Sequence, residues 1–192
     1  TKADYGAIGT LIALVSVLAV LLRLGTQSAF FRFYFDSKER AAKLVVVRTA
    51  FWFTMTASTV GLVLGQIFAP EISDWLFGGG HRTELVRAAF VGLWAQMNYG
   101  QLTSLFRVEQ RSTSYVIASV ANVLITIGST ILLVVVFKEG PLGVIVGNFL
   151  GTLTVYLGLL AYRREQLGLQ FNWELFKRME HFGLPLLPSA LA

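Results

Sequence analysis

The chain has 192 residues, 55% of them hydrophobic and only 14% charged, with a mean hydropathy of +0.64. A soluble globular domain carries about 25% charged residues, so a water-soluble enzyme domain is a poor frame for this composition. The net charge of +5 is not a nucleic-acid footprint either, because the basic residues stand in short clusters between apolar runs.

Five runs carry no charged residue: 5–22, 49–70, 88–106, 112–137 and 140–162. The shortest, 18 residues, reaches about 27 Å as a helix, close to the hydrocarbon thickness of a bilayer. In lipid only helices and closed barrels satisfy the backbone, and the runs lack the alternating segments of a barrel. The expectation is an all-α polytopic transmembrane helix bundle of about five complete spans plus the start of a sixth.

In chain order, the first helix is expected over 6–34 without interruption, longer than the membrane and so tilted or protruding. Residues 36–43 form a charged turn. The second span ends at Pro70, and 71–76 is a short interfacial helix with Trp75 and Phe77 at headgroup level. Gly78, Gly79 and Gly80 break it, and the third span starts near Thr83. Gln96, Asn98 and Gln101 polarise that span, with hydrogen bonds between helices as their expected role. Residues 138–143 make a tight outer turn between spans four and five. Asn172 is a good N-cap for an amphipathic helix over 173–182, on which Trp173, Phe176, Met179 and Phe182 recur at helical spacing. Pro185 and Pro188 fall in the opening turns of the next span. Three units follow: a transmembrane bundle over 1–170, an interfacial amphipathic helix over 171–182, and the start of a further span over 183–192.

Eleven of the sixteen Lys and Arg lie on one set of loops: Arg32, Lys38, Arg40, Lys43 and Arg48, then Arg107 and Arg111, then Arg163, Arg164, Lys177 and Arg178. By the positive-inside rule that side is cytoplasmic and the protein is a multi-pass component of the cytoplasmic (inner) membrane. The chain begins without Met and stops in a hydrophobic run, which gives the expectation that it is part of a larger protein. Small residues four apart, Ala57/Gly61/Gly65 and Gly143/Gly147/Gly151, mark close helix packing, as does the stripe Ser119, Asn122, Thr126 and Ser129.

The sharpest functional candidate is Arg23. On the expected 6–34 helix it falls near mid-span, where a charge costs at least about 2.5–3.5 kcal/mol and normally faces a cavity or an internal partner. Ser16, Arg23 and Gln27 share one helical face, and a cationic, partly wet stripe suits a phosphate-bearing headgroup. Snorkelling or a purely structural role is the alternative. Arg32 lies nearer the basic end, where topology and lipid phosphate contact weigh above a substrate role. All eleven Asp and Glu stand in loops or at span ends, the two His lack metal-ligand spacing, and there is no Cys. No catalytic set, metal site or cofactor is expected, so the chain reads as a non-enzyme.

Several motifs resemble one family in order and spacing. Asp4-Tyr5-Gly6 resembles the end of the first periplasmic turn of polysaccharide-type flippases of the multidrug/oligosaccharidyl-lipid/polysaccharide exporter superfamily. The segment from Leu24 to Tyr34, with its Arg32, resembles the close of that family's second helix. Arg111-Ser112-Thr113-Ser114-Tyr115 with Asn122 resembles the start of its fifth, and Phe182-Gly183-Leu184-Pro185-Leu186-Leu187-Pro188-Ser189 the opening of its seventh. The resemblance implies helices two to six and the start of seven of a transporter with roughly twelve to fourteen helices in two bundles, an inverted V. It implies flipping of a polyprenyl-pyrophosphate-linked glycan, an oligosaccharide or polysaccharide precursor, with membrane lipid around it and glycan polymerases or transferases as partners in cell-envelope synthesis. It places Arg23 and Gln27 on a cavity-lining helix and makes helices three to six scaffold. Arg23 itself stands where the family pattern has an apolar residue, so its role rests on the residues alone.

Three other readings compete. A multidrug or organic-cation antiporter of the same superfamily calls for intramembrane acids. A non-transporting scaffold of a glycan-assembly complex calls for no hydrated cavity beside Arg23. A membrane glycosyltransferase calls for catalytic acids and long outer loops.

Overall fold

The computed structural model describes the backbone of residues 2–78 and 82–186, and the side chains from residue 6 onward within them. Among the described residues every regular element is helical. The order is α1 (Lys2–Arg23), α2 (Thr26–Asp36), α3 (Arg40–Ile67), α4 (Ala69–Phe77), α5 (Thr83–Val108), α6 (Ser112–Ile131) extended by a π-helical turn (Leu132–Val136), α7 (Gly140–Arg163) and α8 (Trp173–Gly183). Residues 79–81, expected in the break after α4, and 187–192, expected to open the next span, lie outside the described residues.

Among the described residues four helices are long and apolar enough to cross a bilayer: Gly6–Arg23, Arg40–Ile67, Ser112–Val136 and Gly140–Arg163. The third expected span, α5, is about 39 Å long at 1.5 Å per residue but less apolar than these. Its surroundings explain the difference. The helix runs through the centre of the bundle against α1, α3, α4, α6 and α7, and buries residues on every side. It therefore carries polar groups inside the bundle: Asn98 Nδ2 donates to Ser58 Oγ of α3 (2.8 Å) and to the Trp94 carbonyl of its own helix (2.8 Å), while Asn98 Oδ1 and Gln101 Nε2 are buried without a partner.

Residues 98–101 of α5 also divide the core. Towards one end Leu11, Val15, Val86, Phe90, Leu93, Met97 and Ile145 pack together. Towards the basic end Phe30, Ala50, Leu102, Phe106, Tyr156 and Met179 form a second cluster. The basic end is locked by a buried ion pair. Arg163, at 2% exposure, reaches Glu109 Oε1 at 2.9 Å and Oε2 at 2.7 Å, donates to Gln166 Oε1 at 2.7 Å, and lies 4.5 Å over the Phe106 ring. It ties the ends of α5 and α7.

The α7 glycines act as the spacing suggested. Positions 147 and 151 lie against the α6 backbone at Thr130 and Thr126, and Ser129 Oγ donates to the Gly147 carbonyl at 2.7 Å. At 61 and 65, α3 admits Leu22 of α1 and Phe90 of α5.

The expected continuous first helix is broken. Leu24 (φ 47°) and Gly25 (φ 75°) are both left-handed, which ends α1 at Arg23 and restarts the chain as α2. For Leu such a conformation costs about 1–2 kcal/mol. Tertiary contact explains why it persists. The Gly25 backbone packs directly on that of Gly183 in α8, so closely that a Cβ at either residue would overlap the other's backbone. Beside it Thr26 Oγ1 donates to Glu180 Oε1 (2.7 Å), both groups buried, while Glu180 Oε2 is buried without a partner. The opposite face of α8 follows the expected amphipathic pattern, and Asn172 Oδ1 accepts from the Leu175 amide at 2.9 Å as the cap.

Gly183→Ala should destabilise the full-length protein by about 1–3 kcal/mol, since backbone cannot yield as a side chain can. Gly158→Ala, with nothing within 4 Å of its Cβ position, should leave the thermal midpoint in detergent unchanged or raise it. Burial pushes the Glu180 carboxyl up from its ordinary value, and the Thr26 hydroxyl offsets only part of that. Between the ordinary and the raised value the folded chain holds one proton more than the unfolded chain, so the α2–α8 contact weakens as pH rises through that window. Protease cleavage in residues 164–172, followed against pH, should show this slope. Glu180→Gln keeps an acceptor for Thr26 and should flatten it.

Candidate functional site

Between α1, α5, α6 and α7 the bundle holds a cavity of about 460 Å³. Its α5 wall is a single face: Gln96, Tyr99/Gly100, Thr103 and Arg107 follow one another at three- and four-residue steps. Across from it α6 contributes Tyr115, Asn122, Val123, Thr126 and Ile127, and α7 contributes Asn148, Phe149 and Thr152. Arg23, the last residue of α1, closes the fourth side. The lining therefore combines two guanidinium groups with amides, hydroxyls and two tyrosines, and it carries no carboxylate.

The helix break sets the position of Arg23. Its guanidinium lies over Gly100 of α5, 3.2 Å from where a Cβ would stand, and donates from Nη1 to Gln27 Oε1 at 3.1 Å on the first turn of α2. The unbroken helix is what is corrected: α1 ends at Arg23, where the negative end of its dipole favours a cation, at the level of Gly100 between the two apolar clusters. It still faces a cavity. Arg107 is exposed, its guanidinium 5.4 Å from the Tyr115 ring and 5.9 Å from the Phe31 ring. Asn122 Oδ1 accepts from Thr126 (3.2 Å) and Thr152 (3.4 Å), which orients its amide in the wall.

Of the four residues singled out from the sequence, the structure brings Arg23 and Gln27 together and separates the others. The Ser16 hydroxyl donates to the Ile12 carbonyl of its own helix (2.8 Å) and lines an adjoining apolar groove of about 180 Å³. Gln96, Asn148 and Phe149 border both spaces. Arg32 lies away from the cavity on the α2–α8 surface, 4.2 Å over the Phe182 ring and 3.7 Å from Asp36.

Arg107 and the amides of Asn122 and Asn148 were not singled out as site residues. Arg107 counted only towards loop charge, and Asn122 and Thr126 only towards packing. Thr126 does pack, its hydroxyl 3.4 Å from the Asn148 carbonyl, but the same stripe also forms cavity wall. The available signal was the four-residue register that puts Gln96, Gly100 and Arg107 on one side of α5. Helices expected only as scaffold thus supply most of this cavity's lining.

A family model described as polysaccharide biosynthesis protein matches residues 1–192. No curated protein and no solved structure matches the chain. With the whole length matched and the all-helical apolar bundle in place, this membrane protein belongs to the polysaccharide biosynthesis protein family, in agreement with the resemblance of its motifs to polysaccharide-type flippases.

Proposed function

We propose that the chain forms part of the translocation path of a lipid-linked polysaccharide or oligosaccharide precursor across the cytoplasmic membrane, a transport role rather than a catalytic one. The observation that supports this most is the sign and chemistry of the cavity. Arg23 and Arg107 share one polar space inside an otherwise apolar bundle. Guanidinium groups bind phosphate oxygens bidentately and stay charged when partly desolvated. The amides of Gln96, Asn122 and Asn148 offer both donors and acceptors, which suits the hydroxyls of a sugar. At about 460 Å³ the cavity falls within the usual range of about 300–1,000 Å³ for small-molecule sites, enough for a pyrophosphate and an adjoining sugar while the lipid chain remains outside.

The same charges weigh against the antiporter reading. Two cations raise the energy of an organic cation in this space, and no lining carboxylate offsets them. A pure scaffold has no use for a hydrated cationic cavity in apolar surroundings, because burying polar groups without a ligand or partner is costly.

The test is leaflet translocation of a fluorescent polyprenyl-pyrophosphate oligosaccharide by the full-length protein in liposomes. Arg23→Gln and Arg107→Gln should each slow flipping about tenfold or more, the effect of losing a hydrogen-bonded charge of about 1.5–3 kcal/mol. Membrane insertion and thermal midpoint should stay near those of the unsubstituted protein. Unchanged flipping in both variants would remove this cavity from the path.

A further inference from the structure

A second concentration of positive charge lies outside the cavity, where α2 meets α8. Arg32 from α2 and Lys177, Arg178 and His181 from α8 line one open groove, with Phe182 and Pro185 in its floor. All four basic side chains are exposed. On α8 they fall at three- and four-residue steps, opposite the face that buries Leu175, Met179 and Gly183. Among the described residues the one carboxylate paired with them is Asp36, 3.7 Å from Arg32 with both side chains more than half exposed, a contact worth little in solvent.

The depth of the groove is given by independent contacts. The backbone N–H of Asn172, just before α8, donates to Thr49 Oγ1 (3.2 Å), and Phe176 stacks 4.7 Å from Phe53. Thr49 is where the charge-free run of α3 begins. Hence α8 lies level with the edge of the hydrocarbon. Beside it Phe171, Trp173 and Phe176 form an aromatic cluster with centroids 5.3–6.1 Å apart, and Trp173 is 58% exposed. Phe33 and Leu186, the latter 36% exposed, line the groove with apolar surface. Amphipathic aromatic rings at this level are the usual furnishing of the headgroup layer. A basic groove bordered by apolar side chains at that depth matches a phosphodiester headgroup with its acyl chains running alongside.

We infer that the α2–α8 groove is a binding site for the headgroup of an anionic membrane phospholipid, separate from the cavity at Arg23 and Arg107. The site holds α8 down on the bilayer surface. Because Gly183 and Glu180 of α8 contact Gly25 and Thr26 at the helix break, the same lipid braces the turn that positions Arg23.

Native mass spectrometry of the full-length protein, released from micelles containing equal phosphatidylglycerol and phosphatidylcholine, tests this. The unsubstituted protein should retain phosphatidylglycerol preferentially. Lys177→Gln and Arg178→Gln should each lower that preference about fivefold, the effect expected of one cation near an anionic surface. Lys38→Gln with Arg164→Gln, on the same side of the bundle but outside the groove, should leave it unchanged. Lys177→Gln and Arg178→Gln are each a single change at an exposed position, so the result stays readable if one of the two folds poorly. Equal retention of the two lipids, or an equal loss in the control variant, would overturn the assignment. So would displacement of phosphatidylglycerol by undecaprenyl pyrophosphate that depends on Lys177 and Arg178, since the groove would then belong to the transported lipid. That last result would leave the flipping test on Arg23 and Arg107 unaffected.

Discussion

The helix break at the basic end of this bundle depends on one backbone contact, that of Gly25 on Gly183. It permits two consecutive left-handed residues where an uninterrupted helix would otherwise continue. The break ends α1 at the level of Gly100 of α5, turns α2 onto α8, and leaves Arg23 at a helix C-terminus facing inwards. A single Cβ at either glycine would force the two segments apart, and with them the Thr26–Glu180 hydrogen bond. Such intimacy between backbones is the currency of helix association in lipid, where apolar side chains gain nothing by leaving the hydrocarbon.

The central helix solves a different problem. α5 is wrapped on nearly all sides, so its polar residues are not exposed to lipid and can be distributed between two tasks. Asn98 faces Ser58 and holds α3 in register. Gln96, Thr103 and Arg107 face the cavity. The layer at 98–101 that separates the two apolar clusters therefore coincides with the depth at which Arg23 arrives from α1. Polar packing and polar cavity are neighbours because both draw on the same largely enclosed helix.

How much of this was legible in the sequence follows from which contacts are local. The charge-free runs located α3, α6 and α7, and Asn172 with the aromatic spacing after it located α8, because length, capping and periodicity are local properties. The four-residue glycine repeat of α7 announced its close partner without naming it. The break at Leu24–Gly25 left no local trace. One glycine in a helical pattern is ordinary, and the residue that decides the matter, Gly183, lies in the last element. Arg107 was hidden for a related reason. At the edge of an apolar run it reads as topology, and only the packing of α1 on α5 at Gly100 brings it into the same space as Arg23. Arg32 was set apart from Arg23 by its place nearer the basic end, and it lies outside the cavity, on the α2–α8 surface.

The bareness of α6 has a consequence of its own. Ala118 is its one buried residue, and the helix leans chiefly on α7, where the α6 backbone at Thr126 and Thr130 comes within contact range of Gly151 and Gly147. Meanwhile α5 and α7 are fastened to each other by Arg163 and Glu109. The α5 and α7 walls of the cavity are thus fastened together, and the distance of the α6 wall from α7 is set by the size of two residues on α7. Sequences that exchange those glycines for alanine or serine would carry a wider cavity over an unaltered pair of arginines.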